Sequence, residues 1–348
     1  MTASAYLDLL DELLRPGIAG LSAPLVDAQV RFVAGCQRPD GGFGGRQGGS
    51  DPYYTDFALR VLTWLAPAHE AFSRTAAYLA GRSLPPRDVV ECFSLLSTRR
   101  LLERQRVGQD KGTVPFSASP AETTDENWDS PQAVLPGQLG FRTLATLSAP
   151  ALDPLRLTAW LYGRLLPSGG FARTADDPRV SAYHTFLGAL CFQMLGVEMP
   201  AVEDAVRAVQ ALRRPDGGYA ELAGQSASQT NATAAALGFL TMHDGMLAEN
   251  MAPAARFFAQ MQSADGGLKP HAAVRGGDLL STFTGLLTLW GLDARQQIDA
   301  AAVARFLRGA AHPGGGFLAC DADDAADVEY TYYGVGTLAL LRLWSTAP

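Results

Sequence analysis

A short glycine punctuation recurs along this chain and limits the folds open to it. The copies are Pro39-Asp40-Gly41-Gly42-Phe43, Ser168-Gly169-Gly170-Phe171, Pro215-Asp216-Gly217-Gly218-Tyr219, Ala264-Asp265-Gly266-Gly267-Leu268 and Gly314-Gly315-Gly316-Phe317. The last three run at a period near 50 residues. After each copy comes a polar loop, then a Thr- or Asp-headed run of small and apolar residues. A self-similar unit of that length is one supersecondary piece that buries its apolar face on copies of itself.

The best-formed unit shows what the piece is. Val202, Ala205, Val206, Val209 and Leu212 recur at helical spacing with charges between them, which predicts an amphipathic helix over 201–213. The glycines then stop it, because they supply backbone states with positive φ. A second helix is expected over 230–242. The scheme repeats as 252–262 with 279–290, as 298–307 with 330–343, and near the front as 28–36 with 55–65. The first helix of each pair carries charge on one side and should face water. The second is nearly uncharged and rich in small residues such as Gly188, Ala235, Gly285 and Gly334, so protein should surround it. Six such pairs closed into a ring make an (α/α)6 barrel, the expected fold. An open solenoid would need distinct capping units. Units two and three are the least regular: an inner helix is expected from Asp88 to Leu102, a polar loop over 107–136 and an apolar helix around 139–147. A single domain is expected over 1–348, with residues 1–27 a helical lead-in.

Composition bounds the function. Net charge is -7 and no Lys/Arg block is present, which argues against nucleic acid as partner. No apolar run reaches the roughly 18 residues of a membrane span. The Met1–Pro16 stretch lacks the basic start of a secretory signal. The four cysteines lie far apart without a C-x-x-C, as free thiols do in a reducing compartment. A cytoplasmic protein is the expectation.

Polar residues cluster just before each inner helix and should share one rim. Asp51, Asp88 and Asp278 suit N-caps, worth about 1 kcal/mol each. Tyr54, His184, Glu329 and Tyr330 are long or aromatic, and at the mouth of an apolar tube they outline a ligand site.

With these residues in view, the chain resembles the β subunits of protein prenyltransferases and the squalene-hopene and class II terpene cyclases. The Q-x-x-D-G-G-F punctuation (Gln37 to Phe43) and the inner helix after it carry the likeness, from about Ala28 to Trp344. The prenyltransferase likeness implies a zinc held by Asp, Cys and His. Here Asp278 is present, but Leu280 stands at the Cys position and Tyr330 at the His position. Zinc needs three protein ligands, so none is expected. Of the diphosphate-binding residues, Arg275 matches a Lys, while Ser181 and Ala272 stand for the His and Arg. Arg46, Arg173 and Lys269 in the post-glycine loops can add charge.

The cyclase likeness implies an acid in Asp327-Val328-Glu329-Tyr330-Thr331, with Glu329 at the proton-donor position and Asp327 two residues before it. Like charges and burial raise one carboxyl pKa of such a pair. His184 or Tyr54 would then act as base or orienter, and Phe57, Trp64, Tyr183, Tyr332 and Tyr333 would offer ring faces to a carbocation. Asp321, Asp323 and Asp324 form a second acidic stretch, a rival acid or, with Asp327 and Glu329, a Mg²⁺ site for a diphosphate substrate. Glu122, Asp125, Glu126 and Asp129 are another such cluster. Class II cyclases are expected to carry a second helical domain, for which this chain has no room. Three readings stand: acid-initiated cyclisation, isomerisation or elimination of an isoprenoid or related polyunsaturated chain; zinc-independent prenyl transfer from a prenyl diphosphate, with a helical partner subunit; and a non-catalytic barrel that binds lipid or protein.

Overall fold

Each glycine punctuation is locked by a threonine of the helix that follows. In the Pro215–Tyr219 copy, Asp216 Oδ1 accepts the Gly218 N–H at 3.0 Å and the Ser228 hydroxyl at 2.7 Å. Tyr219 donates its N–H to Thr233 Oγ1 at 2.8 Å. The same bond joins Phe43 to Thr55 (2.9 Å), Phe171 to Thr185 (3.0 Å), Leu268 to Thr282 (2.9 Å) and Phe317 to Thr331 (3.2 Å). All five threonines are fully buried, so they belong to the fold and not to the rim chemistry. Replacing Thr233 with Val keeps the shape but leaves the Tyr219 N–H without a partner. A loss of about 1–3 kcal/mol is expected by chemical denaturation.

The structure is a computed structural model that describes residues 6–82, 85–109 and 152–346. Its helices are α1 (Tyr6–Ala19), α2 (Ala23–Gly35), α3 (Pro52–Leu65), α4 (Ala71–Ala80), α5 (Val89–Gln109), α6 (Pro154–Tyr162), α7 (Ala182–Leu195), α8 (Val202–Gln210), α9 (Thr230–Met242), α10 (Ala248–Met261), α11 (Leu279–Gly291), α12 (Ala300–Ala310) and α13 (Val328–Thr346). A small antiparallel hairpin, β1 (Ala172–Thr174) and β2 (Asp177–Val180), precedes α7. The sequence had offered only a loop there.

Helices α3, α5, α7, α9, α11 and α13 form the inner ring, each packed on the next and α13 back on α3. Outside them, α2, α4, α6, α8, α10 and α12 each back one inner helix. This is the expected six-pair toroid. The uncertain stretch resolves simply, because α5 lies directly against α7; the apolar segment 139–147 lies outside the described residues.

The glycines make the joints between units. Gly217 has φ +91°, and a side chain there would run into the Pro253 carbonyl of the next outer helix. Gly315, at φ +93°, meets α2 instead: a Cβ would stand 2.6 Å from the Ala28 carbonyl oxygen. Beside it Gly316 donates its N–H to Gln29 Oε1 at 2.8 Å. The last unit thus closes on the first. The small residues of the inner helices have a related use, since Gly188 and Gly334 leave room for the rings of Phe171 and Phe317.

The segment read as a lead-in does more than precede the barrel. Helix α1 lies across the C-terminal ends of the inner helices. Asp11 accepts from the Trp64 indole at 3.1 Å, in the last turn of α3. Asp11 and Asp8 pair with Arg100 and Arg104 on α5. The Tyr6 N–H donates to Gln193 of α7 at 2.8 Å, and Gly17 seats against the Ala339 backbone of α13. The first outer helix, α2, begins at Ala23, inside the stretch assigned to the lead-in, with Pro24 in its first turn.

Candidate active site

The ring encloses a cavity of about 540 Å³. Its walls are apolar and aromatic: Phe57 on α3, Phe93 on α5, Tyr183 and Phe186 on α7, Phe283 on α11 and Tyr333 on α13. Leu7 and Leu10 of α1 close its far end. A tube of this size, mostly apolar with a few polar groups, has the usual form of a ligand site.

Glu329 stands at the lip, in the first turn of α13, and opens on a separate rim groove of about 640 Å³ lined by Arg46, Gln47, Tyr54, Asp327 and Tyr330. Tyr53 joins the two spaces. Its ring lines the lumen, and its hydroxyl donates to Glu329 Oε1 at 2.7 Å. Burial, reinforced by the nearby Asp327 charge, pushes the Glu329 carboxyl up to about 7, with the Tyr53 bond pulling the other way. Burial, and next the Glu329 charge, also push the Tyr53 phenol up, so at neutral pH it keeps its proton.

Asp327 is a cap as well as a neighbour. It accepts the Tyr330 N–H at 2.9 Å and the Arg46 Nε at 3.1 Å. Arg46 also grips both oxygens of Asp323, which holds that carboxyl low. Asp327 itself is raised by burial, against the Tyr330 bond and Arg46. Arg46 therefore ties Asp323 and Asp327 together at the rim. Among the described residues no three His, Cys, Asp or Glu side chains converge on a metal position. The Glu122–Asp129 cluster lies outside the described residues.

Across the ring, His184 lines the lumen from α7. Its Nδ1 is 2.8 Å from Ser181 Oγ, and Ser181 gives its one proton to Glu221. With that proton committed, Ser181 Oγ accepts from His184 Nδ1, and in the neutral imidazole Nε2 is then the acceptor. Arg173 and Glu221 complete this side of the mouth. Glu329 and His184 thus belong to the same lip, on opposite members of the inner ring.

Inside the tube, Asp56 and Arg60 form a buried pair at 2.9 Å, one turn apart on α3. Arg60 Nη2 donates to Ser97 at 2.8 Å. Burial raises the Asp56 carboxyl, against Arg60 and the Ser97 hydroxyl. A guanidinium cannot give up its proton, so the wall carries a fixed cation beside this carboxyl.

Several candidates read from the sequence lie away from the lip. Trp64 sits at the floor, hydrogen-bonded to Asp11 and stacked on Tyr332 with centroids 4.8 Å apart. Tyr332 lines the lumen as expected, with Arg60 5.7 Å from its ring centroid. Asp278 caps α11, accepting from the Ser281 N–H at 2.7 Å and the Ser281 hydroxyl at 3.0 Å. With Leu280 and Tyr330 offering no zinc ligand of the expected kind, these positions do not fit that ion. Arg275 and Lys269 line neither cavity; Arg275 is exposed, and Lys269 contributes its backbone carbonyl to Thr230. Of the basic residues considered for an anion, Arg173 alone borders the lumen. Tyr53, Asp56, Arg60, Glu221 and Phe283 were missed. Tyr53 and Asp56 had been visible in the rim stretch Asp51–Asp56, but no signal separated them from the caps beside them.

A toroid of paired helices with an aromatic lumen and a titratable lip is the class of protein these features define. The chain belongs to the prenyltransferase alpha-alpha toroid domain family, whose model matches residues 2–87, 137–277 and 270–347. Comparison with curated proteins finds no match. Among solved structures it is similar to the Candida albicans protein geranylgeranyltransferase-I complexed with GGPP (10% identity, TM-score 0.62, 91% of each chain covered). It is also similar to a type II terpene cyclase from Scytonema in complex with geranylgeranyl dihydroxybenzoate (13% identity, TM-score 0.57, 96% of this chain and 99% of that one). A third is the GH76A alpha-1,6-mannanase from Salegentibacter (12% identity, TM-score 0.56, 92% and 99%). At these identities the likeness is one of fold, and the mannanase shows that the fold hosts unrelated chemistry. The match with the Scytonema cyclase spans almost all of that chain.

Proposed function

We propose that the protein is an enzyme that takes an isoprenoid or related polyunsaturated chain into its lumen and starts cyclisation, isomerisation or elimination by protonating a carbon–carbon double bond. One observation carries the reading: a carboxyl poised near neutrality, Glu329, is hydrogen-bonded to a phenol, Tyr53, that borders the apolar lumen. The bond is now donated by Tyr53. Delivery turns it round, with protonated Glu329 donating to the Tyr53 oxygen while the Tyr53 O–H proton passes to an alkene carbon. The alkene π pair forms the new C–H bond and the adjacent carbon becomes the cation. Glu329 is left as a carboxylate, with Arg46 nearby to temper its charge and the rim groove open to water for reprotonation.

Phe57, Tyr183, Phe283 and Tyr333 remain to face the cation, each worth about 0.5–2 kcal/mol. His184 Nε2 is the acceptor placed to take a proton from the final cation, its ring held by Ser181 and Glu221. The prenyl-bearing ligands of the geranylgeranyltransferase and the Scytonema cyclase support an isoprenoid as the substrate class. The scarcity of basic residues at the lumen favours a substrate without a diphosphate over prenyl transfer. The test is product profiling with polyprenyl substrates of several lengths. Tyr53→Phe keeps the ring but cuts the relay, and product formation should fall about 10²-fold or more at unchanged KM. Full activity in this variant would sink the relay.

A further inference from the structure

We propose that α1 is the length gauge of the lumen: Leu7 and Leu10 are the stop on which the far end of a linear hydrocarbon chain rests, and they set how long a chain the protein accepts. This rests on reading the lumen as a lipid-chain site and deepens it.

The lumen has one polar end and one apolar end. Tyr53, Tyr183 and His184 stand in the first turns of α3 and α7, beside the lip. Trp64, eleven residues beyond Tyr53, marks the other end, about 16 Å away along the helix. Helix α1 adds to the floor there, beside the ends of the ring helices. Leu7 and Leu10, 4% and 8% exposed, project from α1 into the cavity, with Tyr6 beside them.

Such a stop must not yield when a chain presses on it. Helix α1 is held by Asp8 and Asp11 on Arg100, Arg104 and the Trp64 indole. At its start the Tyr6 N–H is bound by Gln193, and the Tyr6 ring meets Phe186 edge-on at 5.2 Å. Gly17 in direct contact with the Ala339 backbone fixes its other end. The acidic side of α1 thus anchors the helix, and its leucine side bounds the ligand.

The test is a binding series with n-alkanols from C8 to C16, which lack double bonds and so cannot undergo the proposed chemistry. For the wild-type protein, affinity should rise about fourfold per methylene and then stop rising once the chain meets Leu10. Leu10→Ala should move that break by roughly two to three carbons to longer chains, the size of the atoms removed. Leu10→Phe should move it to shorter chains. Leu9→Ala, on the exposed side of α1 (Leu9 is 52% exposed), should leave it in place. Circular dichroism and the thermal midpoint report whether each variant folds. If Leu10→Ala does not fold, Leu10→Phe and Leu7→Phe still test the direction of the shift. A break that stays put in the folded variants overturns the gauge alone. Alkanols that fail to bind the wild type overturn the lumen reading and the gauge with it, whereas loss of the Tyr53 relay would leave this series untouched.

Discussion

Glu329→Gln should abolish turnover, by about 10²- to 10⁴-fold, while a substrate chain still binds the lumen with unchanged affinity. Gln keeps the size and a hydrogen-bonding partner for Tyr53 but has no acidic proton. A barrel that merely binds would show little change, so the variant separates catalysis from carriage. The pH profile carries the same assignment. With the Glu329 carboxyl pushed up to about 7, the active protonated form is lost as pH rises through 7, and the rate should fall tenfold per unit above it. Stability follows the same sign. The folded protein holds this proton more tightly than the unfolded chain, whose carboxyl titrates near 4.5. The stabilisation is fully present below 4.5 and is lost as pH rises to about 7, amounting to roughly 3 kcal/mol. Glu329→Gln should flatten that part of the stability–pH curve. An unchanged profile in the variant would remove Glu329 from the mechanism.

Gly217→Ala is expected to destabilise the fold by about 2–4 kcal/mol, combining the strain of a positive φ with forced packing against the Pro253 carbonyl. Gly224 supplies the comparison. It also has a positive φ, +82°, but nothing lies within 4 Å of the position of an added Cβ. Gly224→Ala should therefore carry the strain without the collision, about 1 kcal/mol. Denaturant midpoints for the two variants measure the difference, and equal losses would mean that the joint between units tolerates a methyl group.

Much of the architecture was legible because the repeat writes its own local chemistry. Gly217 and its counterparts announce a stop, Thr230 heads the buried helix, and the uncharged stretch 230–242 coincides with α9. Glu329 and His184 were also legible, since residues that open inner helices must share a rim. Depth along the tube has no such local mark. Trp64 is aromatic and lies on an inner helix, yet it falls a dozen residues past the cap Asp51, which carries it to the floor. Arg60 was hidden because the inner helices look uncharged and its partner Asp56 lies among the polar residues that open α3. Contacts such as Arg46 with Asp327, 281 residues apart, and Tyr53 with Glu329, 276 apart, depend on ring closure and leave no local signature. For the same reason an amphipathic α1 could be read from Leu7, Leu10 and Leu14, but not what it covers.

The seam where Gly315 and Gly316 meet Ala28 and Gln29 joins positions 287 residues apart. During synthesis the front unit must wait, its flank bare, until nearly the whole polypeptide has emerged. Loop closure of that span is slow and comes late. The vulnerable species in the cell is accordingly an unclosed arc with apolar edges, and changes at this seam should lower yield through aggregation before they alter the finished molecule.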